Sequence, residues 1–300
     1  MKKYLSFFFK LTVSAGLLYY LFRQTDFNAL VTTFKKVLPE WLCFSILVFF
    51  VFQIVSAYRW QKITEALGYR KNFLFFGKIY FIGMFFNAFL PGVLGGDVIR
   101  VFYLVKEGAS KTVASFSVFY DRIFGLMGAL ILLTVFVPLE GDFLPEKPRH
   151  ILLWFSASAL FFGTFAALFA GFFRKKWASY FLTTATSVTR LPTFFVLVGL
   201  GLAVQVLYNI HLYLLGRSLN IEVPLAKFFL IIPLMGILAS LPLSLGGLGI
   251  REGTLAYFLK LLGYPTEVGI ALGFLTYGVS LLGGLVGGFF YLRGEREKPS

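Results

Sequence analysis

Cysteine is nearly missing: Cys43 is the single thiol among 300 residues. One thiol excludes an intrachain disulfide and a structural thiolate metal site. Histidine occurs only at His150 and His211. A lone histidine in such a chain is expected to be an interfacial or packed residue rather than a ligand, and no His-Glu-x-x-His motif occurs. No metal or other cofactor is expected. Gly92-x-x-Gly95-Gly96 is not followed by Gly-Lys-Ser/Thr, so it is no nucleotide P-loop. No Ser-His-Asp set is suggested and the polar loops are short, so no catalytic constellation is found and no enzymatic activity is expected. The hydrophobic runs do not alternate apolar with polar residues, which argues against a closed β-barrel. Acidic residues are scarce, 14 against 28 Lys and Arg, giving a formal net charge of +14.

What the chain has is apolar length. Hydrophobic residues make up 58%, Phe alone occurs 39 times, and the mean hydropathy is +0.81. Soluble domains sit nearer about 45–50% apolar. Six stretches are long enough for a membrane-crossing helix, which needs roughly 20 residues: Tyr4–Phe22, Trp41–Tyr58, Val113–Val137, Ile151–Phe173, Phe194–Gly216 and Glu267–Leu292. An all-α polytopic membrane protein follows, read as a single membrane domain over residues 1–300. Lys2 and Lys3 precede the first stretch, but no small-x-small cleavage site follows it, so it reads as an uncleaved span. The basic excess gathers in short loops at apolar edges. There it holds cytoplasmic loops against anionic lipid rather than marking a nucleic-acid partner.

Two more apolar segments, Phe73–Val105 and Ala226–Leu262, are each too long for one span and broken near the middle. The breaks are alike. Leu90-Pro91-Gly92-Val93-Leu94-Gly95-Gly96-Asp97-Val98-Ile99-Arg100 returns as Leu241-Pro242-Leu243-Ser244-Leu245-Gly246-Gly247-Leu248-Gly249-Ile250-Arg251, with seven identities at an offset of 151. Proline removes a backbone donor and glycine lowers helix propensity, so each segment reads as a re-entrant hairpin of two half-length helices. The same offset carries the first three spans onto the last three. The expected fold is an inverted-topology repeat, with halves of about 1–140 and 150–292, each holding three crossings and one broken hairpin. Three crossings per half is odd, so the halves have opposite orientation. Lys2, Lys3, Lys10, the loop with Arg59, Lys62, Arg70 and Lys71, then Lys106, Lys111, Arg174, Lys175, Lys176, Arg190 and the tail 293–300 are then cytoplasmic. Glu140, Asp142 and Glu146 fall outside, as do Lys35 and Lys36, the one departure from the positive-inside pattern. Both termini are expected in the cytoplasm.

Charges inside hydrocarbon are costly and face a cavity or a partner. Arg100 and Arg251 follow the glycine pairs, on the first turn of each returning half-helix. A helix N-terminus, glycines that permit close backbone approach and a guanidinium together favour phosphate or carboxylate. Alternatively, Pro and Gly only make the bend while the arginines pair with neighbouring carboxylates or carbonyls. Asp97 and Arg100 are three apart and can pair, whereas Arg251 and Glu252 point apart and each needs another partner. Asp121-Arg122 lies near the centre of its span. It reads either as a functional doublet or as an ion pair locking that helix to the first hairpin. The candidate substrate-binding set is therefore Pro91, Gly95, Gly96, Asp97, Arg100, Asp121, Arg122, Pro242, Gly246, Gly247, Arg251 and Glu252. Glu252, Asp97 and Asp121 are equal candidates to carry a coupling proton.

The two Leu-Pro segments, the second running on to Glu252, together with Tyr120-Asp121-Arg122-Ile123-Phe124-Gly125, resemble in order and spacing the membrane region of lysylphosphatidylglycerol synthases, which has small stand-alone relatives. The resemblance covers nearly the whole chain. It implies the flippase-like part of that family, which in two-part resistance factors moves aminoacylated phosphatidylglycerol beside a soluble aminoacyl-transferase domain. Only a short tail follows Leu292, so that soluble domain is not expected here. One departure is Tyr277-Gly278, where the family often carries Tyr-Arg. The expected function is transport of a lipid with an anionic phosphate head across the cell membrane through a midplane site between the halves. The alternative is a membrane partner that presents a lipid-linked substrate to a separate glycosyltransferase or synthase.

Overall fold

The computed structural model of the protein describes residues 2–23, 25–89, 95–169, 187–241, 243–244 and 247–296. Among these residues there is no strand. The helices, in chain order, are α1 (Lys2–Arg23), α2 (Phe27–Lys35), α3 (Pro39–Ala66), α4 (Phe73–Phe89), α5 (Gly95–Lys106), α6 (Lys111–Glu140), α7 (Glu146–Phe169), α8 (Leu191–Ser218), α9 (Leu225–Ser240), α10 (Ile250–Leu261) and α11 (Thr266–Arg296). Four of them, α3, α6, α8 and α11, are long and apolar enough to cross a membrane. Of the other two expected spans, Tyr4–Phe22 falls within α1, and Ile151–Phe173 overlaps α7 as far as Phe169, with 170–173 outside the described residues. The short α2 was not foreseen; Asp26 caps it by accepting from the Asn28 and Ala29 N–H groups.

Local sequence sets the helix starts. Pro39, with no N–H to lose, opens α3, and Glu40 sits at the positive end of the helix dipole. The Ser110 hydroxyl accepts from Val113 N–H to cap α6. The start of α10 depends on Gly247 and Gly249, whose φ of +81° and +83° is left-handed backbone that L side chains disfavour. Glu252 completes that cap by accepting from Gly249 N–H at 2.7 Å.

The two broken segments appear as packed helix pairs, α4 with α5 and α9 with α10. Each pair is closed at its outer end. Tyr69 Oη donates to the Glu107 carbonyl and Lys71 pairs with Glu107, joining the start of α4 to the end of α5. Tyr264 Oη accepts from Glu222 N–H, joining the start of α9 to the end of α10. These mouths lie at opposite ends of α3. The first is tied to its C-terminal end by Gln61 Nε2 donating to the Lys71 carbonyl. At the N-terminal end of α3, Leu38 N–H donates to Ser218, at the end of α8. The second mouth follows α8 directly and is tied by Lys227 to Glu140, the last residue of α6, and to Asp142 just beyond it.

Helices α3 and α8 form the most extensive helix contact among the described residues. At its heart His211, fully buried, lies with Nδ1 2.8 Å from Ser45 Oγ and packs beside Phe49 and Tyr208. His150, by contrast, is exposed on α7. The helix pairs dock crosswise: α4 packs on α11, and α9 packs on α6. The α4–α11 crossing depends on absent side chains, since a Cβ at Gly287 would collide with the Phe81 carbonyl. Outward faces stay apolar, with Phe44 and Leu47 on α3, Trp154, Phe161 and Phe162 on α7, and Phe289 on α11 all exposed. An apolar surface of this extent belongs against lipid rather than water.

Candidate functional site

Between α3, α4, α5, α6, the start of α10 and α11 lies a cavity of about 440 Å³. That size suits a small ligand or head group. It gathers Asp97, Arg100, Asp121, Arg122 and Arg251 from the expected set, and adds Arg59. Asp121 stands about 15 Å along α6 from Lys111, at about 1.5 Å per residue, so the charges are deep in the bundle.

One carboxylate organises the first-half side. Asp121, 3% exposed, accepts from Arg59 Nε at 2.8 Å and from Arg100 Nη2 at 2.8 Å. Helices α3, α5 and α6 are thereby joined at one buried carboxylate. Asp97 accepts from Arg122 Nε and lies 3.6 Å from Arg100 Nη1, adding a second link between α5 and α6. The Arg100 guanidinium also covers aromatic faces, 4.2 Å from the Trp60 ring centroid and 4.8 Å from that of Tyr80. Trp60 is held in turn by donating to Ser117 Oγ at 3.0 Å. Gly125 leaves room for Arg59, because a Cβ there would lie 3.3 Å from Arg59 Nη1.

Arg251 is different. It lines the same cavity but makes no ion pair among the described residues, and its buried Nη1 meets no hydrogen-bond partner there. Nη1 of Arg59 and Nε of Arg100 are likewise buried without a partner among the described residues. A buried donor left unsatisfied carries a desolvation cost. Arg59, Arg100 and Arg251 all line the cavity, and each keeps one buried nitrogen without a partner among the described residues.

The remaining expected residues fall elsewhere. Glu252 is fully buried but does not line the cavity; one of its oxygens caps α10. Gly96 permits close packing of α5 on α4, since a Cβ there would strike the Gly83 carbonyl and the Asn87 side chain. Gly95 opens α5, and Gly247 turns the backbone before α10. Arg100 sits on the second turn of α5, not the first, whereas Arg251 is on the first turn of α10. Pro91, Pro242 and Gly246 lie outside the described residues. Arg59, assigned from sequence to a cytoplasmic loop, is 5% exposed inside α3, because that helix continues to Ala66. Its signal was the absence of any Pro or Gly between Tyr58 and Gly68. Gln53, Asn87 and Ser280 also line the cavity and were not anticipated. Among the described residues no group of three or more His, Cys, Asp or Glu is placed to hold a metal ion.

A helical, multi-pass membrane protein with an arginine-rich internal cavity is the class these features define. The chain belongs to the family described as the lysylphosphatidylglycerol synthase TM region, whose profile matches residues 7–288. It is also similar to a UPF0104 membrane protein of Methanocaldococcus jannaschii, with 29% identity over 87 residues. That similarity covers 28% of this chain and 26% of the archaeal protein.

Proposed function

We propose that this protein moves lipids with an anionic phosphate head between the leaflets of the cell membrane, the head group passing through the cavity while the acyl chains stay in lipid. The observation that carries this reading is Arg251, a cation on the first turn of α10 with a buried N–H group that no described residue accepts. Phosphate oxygens are the natural acceptors at a helix N-terminus beside a guanidinium. The cavity's excess of arginine over aspartate favours the same charge.

In this reading the chain is one membrane domain built as an inverted repeat. The α4–α5 and α9–α10 pairs are re-entrant hairpins that dip from opposite faces, with both termini cytoplasmic. Support comes from the mouths of the two pairs at opposite ends of α3, and from the reciprocal docking of α4 on α11 and α9 on α6. Interrupted helices meeting at a repeat interface are where transporters of this build hold their substrates.

The test is reconstitution in liposomes with fluorescent phospholipids, following how fast inner-leaflet probe becomes accessible to an external quencher. Transport above empty liposomes, lost in an Arg100→Ala/Arg251→Ala double variant that still elutes as folded protein, is the expected result. Full activity of that variant would reject the cavity as the route. Saturable lipid binding without transport would turn the reading to the alternative, presentation of a lipid-linked substrate to a membrane-bound glycosyltransferase or synthase.

A further inference from the structure

The charge balance of the cavity bears on which head groups pass. Each carboxylate in its lining is already engaged, Asp121 by Arg59 and Arg100, Asp97 by Arg122. Four guanidinium groups face two carboxylates, an excess of two formal positive charges. Of the aromatic rings in the lining, Tyr80 has a face covered by Arg100, while Phe52 and Tyr277 carry no cation among the described residues. The other polar lining is uncharged. Asn87 accepts from Gly96 N–H through Oδ1 and keeps an amide NH2 to donate, while Ser280 donates to the Thr276 carbonyl and keeps its lone pairs to accept. Gln53 and Tyr277 add further neutral groups on α3 and α11. The cavity therefore offers N–H bonds to a phosphate and neutral partners to hydroxyls. Among the described residues it offers a cationic head group no carboxylate that is not already paired with arginine.

An amine brought here loses water, finds no counter-charge and meets the unbalanced arginines. Burial without compensation is the means by which a site rejects the wrong partner. We infer that the cavity selects phosphate lipids whose head group is uncharged and hydroxyl-bearing, such as glycerol or a sugar, and rejects amine-bearing ones. This rests on the lipid-moving role proposed above and adds to it a rule for the head group. The rule runs against the aminoacylated lipid that the family resemblance suggests.

The experiment compares phosphatidylglycerol, phosphatidylethanolamine and lysylphosphatidylglycerol, all with the same tail-attached fluorophore, in liposomes holding the full chain. Phosphatidylglycerol is expected to move about tenfold faster than either amine-bearing lipid, since like-charge juxtaposition is strongly unfavourable in a desolvated site. Equal rates for all three, or faster lysylphosphatidylglycerol, overturn the head-group rule and leave lipid movement standing. No movement of any lipid overturns both. A second arm adds the missing anion. Asn87→Asp keeps the acceptor for Gly96 N–H while placing a carboxylate in the cavity, and it is expected to raise transport of the amine-bearing lipids relative to phosphatidylglycerol. An unchanged ratio in folded Asn87→Asp protein overturns the rule. Arg251→Gln removes one of the two unbalanced charges, so it should slow phosphatidylglycerol and narrow its lead over the other two.

Discussion

Two segments with the same Leu-Pro-x-x-Leu-Gly-Gly-x-x-Ile-Arg signature end in unlike environments. In the first, Arg100 is enclosed: Asp121 holds one nitrogen, Asp97 approaches another, and two aromatic rings cover its faces. In the second, Arg251 reaches the same cavity with no ion pair among the described residues. The nearest acid in sequence, Glu252, has turned away to cap α10. A repeated motif has thus divided its labour. The first copy ties three helices together, and the second keeps a cation available. Counting the two arginines as equals would miss this.

The largest expected effect comes from destroying the first environment. Asp121→Asn leaves Arg59 and Arg100 buried without their carboxylate, and breaking a buried pair costs about 3–5 kcal/mol. Thermal unfolding in detergent should show a large loss, with little monodisperse protein recovered by gel filtration. Next is the contrast between the arginines themselves. Arg251→Ala should keep its unfolding temperature while transport falls about tenfold or more, the worth of one charge-assisted hydrogen bond at roughly 1.5–3 kcal/mol. Arg100→Ala should lose stability together with transport. If both variants unfold alike, the division of roles is wrong. Gly125→Ala is a smaller perturbation. The added methyl meets Arg59 Nη1 at 3.3 Å, so a cost of about 1–3 kcal/mol is expected from overpacking, read as a lowered unfolding temperature. Lys227→Ala marks the lower limit. Its partners Asp142 and Glu140 both keep contact with water, so the unfolding temperature should fall only slightly from that of the parent.

The helical membrane class was legible from hydropathy because bilayer thickness imposes a length on each element. The positions of the two breaks were legible too, since Pro and Gly act locally on the backbone. Asp97, Arg100, Asp121, Arg122 and Arg251 stood out because a charge inside an apolar run has no cheap place to go. What sequence hid was pairing. Arg59 lies near the end of an apolar run, where a basic residue reads as a loop anchor, and only the helix running on to Ala66 turns it inward. Glu252 stood out as a charge in an apolar run, but the cap it gives to Gly249 N–H was not legible. Gly96 looked like room for a ligand, yet the space is filled by Gly83 and Asn87 on the neighbouring helix. Such contacts join residues whose mutual distance no local pattern encodes.

The docking of α4 on α11 has a consequence for how the chain is made. About 180 residues separate the end of α4 from the start of α11. At about 5–20 residues per second, α4 emerges from the ribosome roughly ten to forty seconds before its packing partner exists. Throughout that interval the face of α4 shaped for Gly287 has nothing to press against, and Asp121 and Arg100 must find one another without it. Pairing between segments so distant in the chain is entropically demanding and slow. Biogenesis of this protein therefore includes a waiting state, a half-built bundle with an uncovered helix pair.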